Sequence, residues 1–213
     1  MKRSLSALVA SIALSSPVLA ESYSVDVWAD NWFEMRVDGV RAAEDSVPIT
    51  TERSFNRESF SFTAEPPFVI GLVAKDFIEN DTGLEYIGTS RQQMGDGGVI
   101  LQVRNSIGEV VAVSDTTWQC RVIHTAPLDK SCAKVGKPIA GEGPCGFEIF
   151  GEPRGWDKAD FDALGWMPAS AYSVNQVDPK GGYDEVDWAE GAELIWGPDL
   201  EQSNTVLCRY TVE

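Results

Sequence analysis

Histidine is nearly absent from the sequence, with His124 as the single example, and no apolar run is long enough to span a bilayer. A catalytic triad or a histidine-rich metal site would have to use that one imidazole. The Gly-x-Ser-x-Gly motif does not occur, and Gly95–Gly98 indicates a tight turn rather than a phosphate-binding loop, because no lysine follows it. These absences disfavour nucleophilic hydrolases and nucleotide-binding enzymes, and they favour a structural role for His124.

Basic residues are also scarce, with 17 lysines and arginines against 33 aspartates and glutamates and a net charge of −16. A surface of this sign repels phosphate backbones and anionic lipid headgroups, so binding to nucleic acid or to membranes is disfavoured. It is compatible with cations and with neutral ligands. Hydrophobic residues make up 43% of the chain and aromatic residues 10%, which indicates a folded domain rather than an acidic disordered tail.

The first 20 residues have the organisation of a secretory signal peptide. Met1-Lys2-Arg3 is basic, Leu5–Leu14 is mostly apolar, and Ser15–Ala20 supplies the small residues of a cleavage site after Ala20. The sequence therefore predicts export to the periplasm or the extracellular space, with residues 21–213 forming a single domain.

The four cysteines all follow the predicted cleavage site, and their even number indicates two disulfides in an oxidising compartment. Cys132 and Cys145 bracket a loop rich in glycine, proline and lysine, which favours a local bridge. Cys120 and Cys208 each lie in a strand-like stretch, so they form the second predicted pair. A zinc site is disfavoured because no Cys-x-x-Cys pair occurs.

Short alternating runs separated by turn residues dominate the sequence, and a helical period is sustained nowhere beyond a turn or two near residues 158–164. The continuous apolar run Pro67–Ala74 predicts a central strand that is buried on both faces. The runs with strand character are 24–29, 32–37, 55–63, 67–74, 98–103, 109–113, 116–123 and 204–212. This pattern predicts an all-β antiparallel sandwich or barrel and disfavours a parallel α/β fold.

The long polar segment that follows Ala74 is the predicted ligand or ion site, because long loops in compact domains are commonly functional. Its candidate ligand-binding residues are Asp76, Glu79, Asn80, Asp81, Glu85, Tyr86, Arg91 and Gln92. Asp76, Asp81 and Glu85 offer the hard oxygen atoms that calcium prefers, which makes calcium the candidate cofactor. The alternative is a solvated loop in which Lys75 and Arg91 neutralise the acids.

A second acidic loop, Asp178–Trp188, is a weaker calcium candidate because it lacks EF-hand spacing. The sequence also contains seven tryptophans, at positions 28, 32, 118, 156, 166, 188 and 196. Exposed indole rings would suit stacking on neutral sugars. The alternative is that most of them pack in the core, with at most two exposed.

Four segments of the sequence resemble the galactose-binding-like jelly-roll domain, an accessory β-sandwich of bacterial glycoside hydrolases. They are Ala29–Gly39, Ser114–Trp118, Gly155–Trp166 and Ile195–Gly197. Ala163 and Leu164 depart from the Asp-Ser of the family pattern. The resemblance implies an antiparallel jelly-roll sandwich with long loops, in which Phe161 and Trp166 are buried near Trp118.

The functional prediction is an exported, non-catalytic module that binds carbohydrate or a similar neutral ligand, with calcium as a structural ion. The family that the chain resembles includes sugar binders, calcium-containing modules and purely structural sandwiches, so the fold alone does not decide the function. One alternative is a structural or protein-interaction module of the cell envelope. A second is a small hydrolase with paired carboxylates, a pattern that 33 acidic residues make unspecific.

Overall fold

A computed structural model describes residues 20–213, so the predicted signal peptide, apart from Ala20, lies outside the described residues. The strands are β1 (Glu21–Asp30), β2 (Trp32–Val37), β3 (Val40–Glu44), β4 (Phe55–Ala64), β5 (Phe68–Lys75), β6 (Leu84–Glu85), β7 (Gln93–Met94), β8 (Gly98–Arg104), β9 (Val110–Val113), β10 (Gln119–Thr125), β11 (Glu148–Ile149), β12 (Met167–Pro168), β13 (Ser170–Tyr172), β14 (Leu194–Trp196) and β15 (Ser203–Val212). The helical elements are α1 (Val174–Val177) and 3-10 turns at Lys130–Lys134 and Tyr183–Glu185. Within this range, no helix is long and apolar enough to cross a membrane.

Two antiparallel sheets pack face to face as a β-sandwich, which confirms the all-β antiparallel prediction. The first sheet has the strand order β13-β14-β8-β1-β4, and β9 also pairs with β8. The second has the order β11-β10-β15-β5-β2-β3, and β12 also pairs with β10. The short strands β6 and β7 form a separate two-stranded ribbon.

The apolar run of β5 is explained by burial on both faces of the second sheet. Its residues Phe68, Ile70 and Leu72 point into the core between the sheets. On the outer face, Val73 packs with Trp156 and Trp166, which belong to the irregular segment that covers this sheet. Because both faces are covered, every residue from Phe68 to Ala74 is buried and no polar alternation is possible.

Both predicted disulfides are present, since Cys120 is bonded to Cys208 and Cys132 to Cys145. The first joins directly opposed residues of β10 and β15. The second closes the loop between the 3-10 turn at Lys130–Lys134 and β11. Disulfides persist in oxidising compartments, which agrees with the predicted export.

The structure corrects the prediction for the segment Gly155–Trp166. Trp166 is buried, but Phe161 is only half-buried and lies beneath the guanidinium group of Arg209. Trp118 packs against Tyr210 in the core between the sheets, apart from the cluster on the outer face that holds the other two rings. Residues 158–164, where a turn or two of helix was predicted, form turns and irregular structure instead.

Most of the tryptophans pack in the core, which was the alternative to exposed rings for sugar stacking. Trp28, Trp118, Trp156 and Trp196 are almost completely buried, and none of the seven is fully exposed. The indole N–H groups of Trp28, Trp118 and Trp196 donate to backbone carbonyls, and that of Trp156 donates to the carboxylate of Glu152. The described tryptophans therefore provide no open platform for a sugar ring.

Candidate functional site

One end of the sandwich carries a cleft of about 480 Å³, formed where several strands begin or end. β1 ends there at Asp30, which lies between Phe55 at the start of β4 and Gly98 at the start of β8. The ribbon of β6 and β7 forms one wall. The lining residues are Asp30, Glu52, Arg53, Phe55, Glu85, Tyr86, Gln93, Asp96, Val177 and Lys180.

Asp30, Glu85 and Asp96 line this cleft, and they act electrostatically on the buried Asp76 behind it. These four residues are called the acidic cluster below. Asp76 follows β5 directly, and its backbone N–H donates to the carbonyl of Asn204 at 2.9 Å. Its side chain packs against Gly95, where an added Cβ would lie only 2.2 Å from Asp76 Oδ2. The tight glycine turn therefore places Asp96 beside the buried carboxylate.

Asp76 is the most unusual member of the acidic cluster because it is 3% exposed and neither of its carboxylate oxygens has a hydrogen-bond partner. The amide of Asn204 lies nearby and favours the ionised form, but its own polar atoms are also without hydrogen bonds. Buried carboxylates are usually paired or hydrogen-bonded. Asp76 therefore has neither a hydrogen-bond donor nor an ion-pair partner among the described residues.

Burial raises the pKa of every member of the acidic cluster, and repulsion from other carboxylates reinforces it. Burial, reinforced by Asp96 and Glu85, raises the pKa of Asp30 to about 8, and burial raises that of Glu85 to about 7. Burial raises the pKa of Asp96 and places that of Asp76 well above its usual range. Strongly perturbed carboxyl groups that converge on a cleft are typical of functional sites.

These pKa values predict that the protein is more stable in mild acid than in mild base. The folded protein retains carboxyl protons that the unfolded chain releases, so the free energy of unfolding decreases as pH rises from about 4 to about 8. Burial also raises the pKa of Asp45 to about 7, which adds to this trend. Thermal melts across this pH range should show a falling Tm, with a shallower fall in Asp30→Asn.

Asp160→Asn is the matched control for that experiment, since it removes an exposed carboxylate that is not in the acidic cluster. It should keep the wild-type slope of Tm against pH. Equal slopes in Asp30→Asn and in the parent protein would contradict the assignment of the trend to the cluster.

Asn31 fixes the walls of the cleft relative to one another. Its backbone N–H donates to the carbonyl of Lys75 at 2.8 Å, where the chain passes from the first sheet to the second. Its side-chain Nδ2 donates to the carbonyl of Glu52 at 3.0 Å, and its Oδ1 accepts from the N–H of Phe77 at 2.6 Å. One buried amide thus joins β1, the segment before β4 and the segment after β5.

The structure divides the predicted loop residues into two groups. Glu85 and Tyr86 line the cleft, and Asp76 lies buried behind it. Glu79 Oε1 instead accepts from the N–H of Ile87, and Asn80 Oδ1 accepts from the N–H of Thr82. These contacts stabilise the turns of the loop itself.

Gln92 and Arg91 also stabilise the loop. Gln92 Nε2 donates to the carbonyls of Ala133 and Val135 at 2.9 and 2.8 Å. The guanidinium group of Arg91 lies 4.1 Å from the centre of the Tyr86 ring. Arg91 therefore helps to hold Tyr86 at the cleft without reaching the acidic cluster.

Asp81 does not join Asp76 and Glu85, because its Oδ1 lies 3.8 Å from Nε2 of His124. Burial lowers the pKa of His124, although Asp81 acts in the opposite direction. Among residues 20–213, no three histidine, cysteine, aspartate or glutamate side chains are arranged to hold a metal ion. The calcium site therefore stays a prediction.

Sequence reasoning missed most of the cleft, because its parts come from distant segments. Gln93 belongs to the predicted polar loop, and the lining residues that were not predicted are Asp30, Glu52, Arg53, Phe55, Asp96, Val177 and Lys180. Two of them follow a sequence signal that could have indicated them. Asp30 ends a strand, and Asp96 lies in a glycine-rich turn that precedes a strand. Lys180 comes from the second acidic loop, which folds over Trp28.

Comparisons of the chain with models of protein families, with curated proteins and with solved structures find no match. The functional assignment therefore depends on the geometry of the cleft alone.

Proposed function

We propose that the protein is an exported, non-catalytic binding module whose ligand, a carbohydrate or a similar polyhydroxylated compound, occupies the cleft. The observation that carries this proposal is the convergence of hydrogen-bonding groups and two aromatic rings on rigid strand ends. Sites mounted on such ends are held in place by the sheets beneath them. The cleft volume of about 480 Å³ is of ligand size.

The lining chemistry suits hydroxyl groups. Gln93 Nε2 donates to Glu85 at 3.0 Å and keeps a second N–H for a ligand. Carboxyl groups with raised pKa values can both donate and accept hydrogen bonds near neutral pH. Phe55 and Tyr86 offer apolar surface for the carbon skeleton of a sugar.

The galactose-binding-like jelly-roll fold is the architecture we propose within the β-sandwich. The positions of two of the segments that resemble this family support the proposal. Ala29–Gly39 spans the end of β1, the crossing to the second sheet and the hairpin of β2 with β3. Gly155–Trp166 covers the outer face of the second sheet, as an aromatic-rich covering segment should.

A hydrolase with paired carboxylates is the second candidate, because Asp30 and Glu85 have pKa values near 8 and 7 in the same cleft. A carboxyl group that stays protonated near neutral pH can act as a general acid. Incubation with the oligosaccharides that bind, followed by chromatography, distinguishes the two candidates. Release of shorter products would favour the hydrolase.

A glycan array probed with the mature protein tests the binding proposal, once with added calcium and once with EDTA. We expect binding to neutral oligosaccharides. Gln93→Ala should weaken it about fivefold through the loss of a direct hydrogen bond. Loss of binding in EDTA would support the calcium prediction, and binding that is equal in EDTA would contradict it.

Gln119→Ala is the matched control for the array, since Gln119 is exposed on β10 and does not line the cleft. It should bind like the parent protein. Absence of binding to every glycan, or equal binding by Gln93→Ala and the parent, would contradict the proposal and favour an interaction module of the cell envelope.

A further inference from the structure

The acidic cluster has no ion-pair partner among the described residues, although Lys180 at the rim favours the ionised forms of Asp30 and Asp96. None of its four carboxylates lies within ion-pair distance of a basic side chain in residues 20–213. Lys180 at the rim pairs with Asp178 at 3.1 Å, and Arg53 lies 3.7 Å from Glu52. Lys75, which the sequence suggested as a neutralising group, lies over the ring of Trp32 instead.

Asp76 provides an independent indication that a positive group is absent from this end of the sandwich. Both of its oxygens are buried without a hydrogen-bond partner, and the repulsion that acts on it comes from Asp30, Glu85 and Asp96. A carboxylate withdrawn from water in this way is costly unless a proton or a cation compensates it. Asp30, Glu85 and Asp96 line the cleft, so a ligand in the cleft can reach the acidic cluster.

We infer, as an extension of the proposed function, that the ligand is a saccharide bearing a protonated amine, whose ammonium group binds among Asp30, Glu85 and Asp96. Its ring and hydroxyl groups then lie against Tyr86, Phe55 and Gln93. Asp76 lies behind the ammonium site and does not line the cleft. The net charge of −16 draws cationic ligands towards the protein.

An ammonium group fits this arrangement better than a metal ion does. Calcium requires several oxygen ligands at about 2.3–2.6 Å, and no three acidic side chains in the described part of the chain are so arranged. An ammonium group has three N–H donors that reach acceptors at about 2.7–2.9 Å in separate directions. It does not need all three carboxylates at once, because a hydroxyl group of the ligand or a water molecule can accept one of its N–H donors.

Isothermal titration of the mature protein near neutral pH with two matched oligosaccharides tests the inference. One is a tetramer of glucosamine, and the other is a tetramer of N-acetylglucosamine, which has the same skeleton without the positive charge. We expect the glucosamine tetramer to bind about tenfold more tightly, because charge-assisted hydrogen bonds are stronger than neutral ones. Added salt should reduce this preference.

Asp96→Asn and Glu85→Gln should each abolish most of the preference, whereas Asp81→Asn should keep it. All three changes are nearly isosteric, and thermal melts establish that each variant folds. The use of two cluster variants keeps the test decisive if one of them is unstable.

The possible failures are distinguishable. Equal or tighter binding of the N-acetylated tetramer overturns the inference and leaves the proposed function standing. A preference that survives in both cluster variants places the ammonium group elsewhere and also overturns the inference. If neither tetramer binds and the glycan array is also negative, both proposals fail.

Discussion

Replacing both Cys120 and Cys208 by alanine is expected to lower the free energy of unfolding by about 4.5 kcal/mol. The bridge closes a loop of the unfolded chain between residues 88 positions apart, so its removal restores a large conformational entropy to the unfolded state. It also joins β10 to β15, and both sulfur-bearing residues are buried. Urea denaturation of the variant and the parent protein without added reductant measures the difference in the free energy of unfolding, because the remaining disulfides then stay formed.

The second disulfide supplies the matched comparison. Cys132 and Cys145 are only 13 positions apart, so the corresponding double alanine variant should lose about 3 kcal/mol. That bridge lies in a small cluster with Leu84, outside the core between the sheets. A larger loss for this pair than for Cys120–Cys208 would contradict the entropic argument.

Trp196→Ala is expected to destabilise the protein by about 3–5 kcal/mol, since it removes one of the largest fully buried side chains. Its Nε1 donates to the carbonyl of Ser203 at 2.6 Å, so the substitution also leaves a buried acceptor unpaired. The indole packs so closely on Gly97 that an added Cβ there would lie 2.1 Å from Cε2. The cavity would therefore open directly behind the turn that carries Asp96.

Trp188→Ala controls for the loss of an indole. Trp188 is half-buried and donates to the carbonyl of Tyr183, within the loop that covers the first sheet. We expect a clearly smaller decrease in Tm than for Trp196→Ala, because partial exposure leaves less apolar area and cavity to lose. Equal decreases would mean that the covering loop, and not the core, limits stability.

The strands were predictable because the order of apolar and polar residues along each strand reflects which of its two faces is buried. The uninterrupted apolar run of β5 corresponds to a strand covered by the core on one face and by Trp156 on the other. The failure at Phe161 has the same physical origin. A ring in an irregular covering segment follows no period, so the sequence alone did not show that Arg209 would cover it only partly.

The candidate site was predictable only where it is local in sequence. Glu85 and Tyr86 belong to the long polar loop, whose length and composition indicated a site. Asp30 and Asp96 are brought to it by the pairing of β1 with β8, a contact between residues about 70 positions apart in register. Asp81 belongs to the same loop but lies beside His124, because carboxylates close in sequence can point to opposite sides of a turn.

The three hydrogen bonds of Asn31 have a consequence for solvent exchange of backbone amides. The N–H groups of Asn31 and Phe77 are held by acceptors on different segments, so neither can exchange through fraying of one strand end alone. Exchange at Phe77 requires its hydrogen bond to Asn31 Oδ1 to open, and the same side chain is tied to Glu52 through Nδ2. Deuterium should therefore enter this amide more slowly than it enters the other amides of the irregular segment after β5.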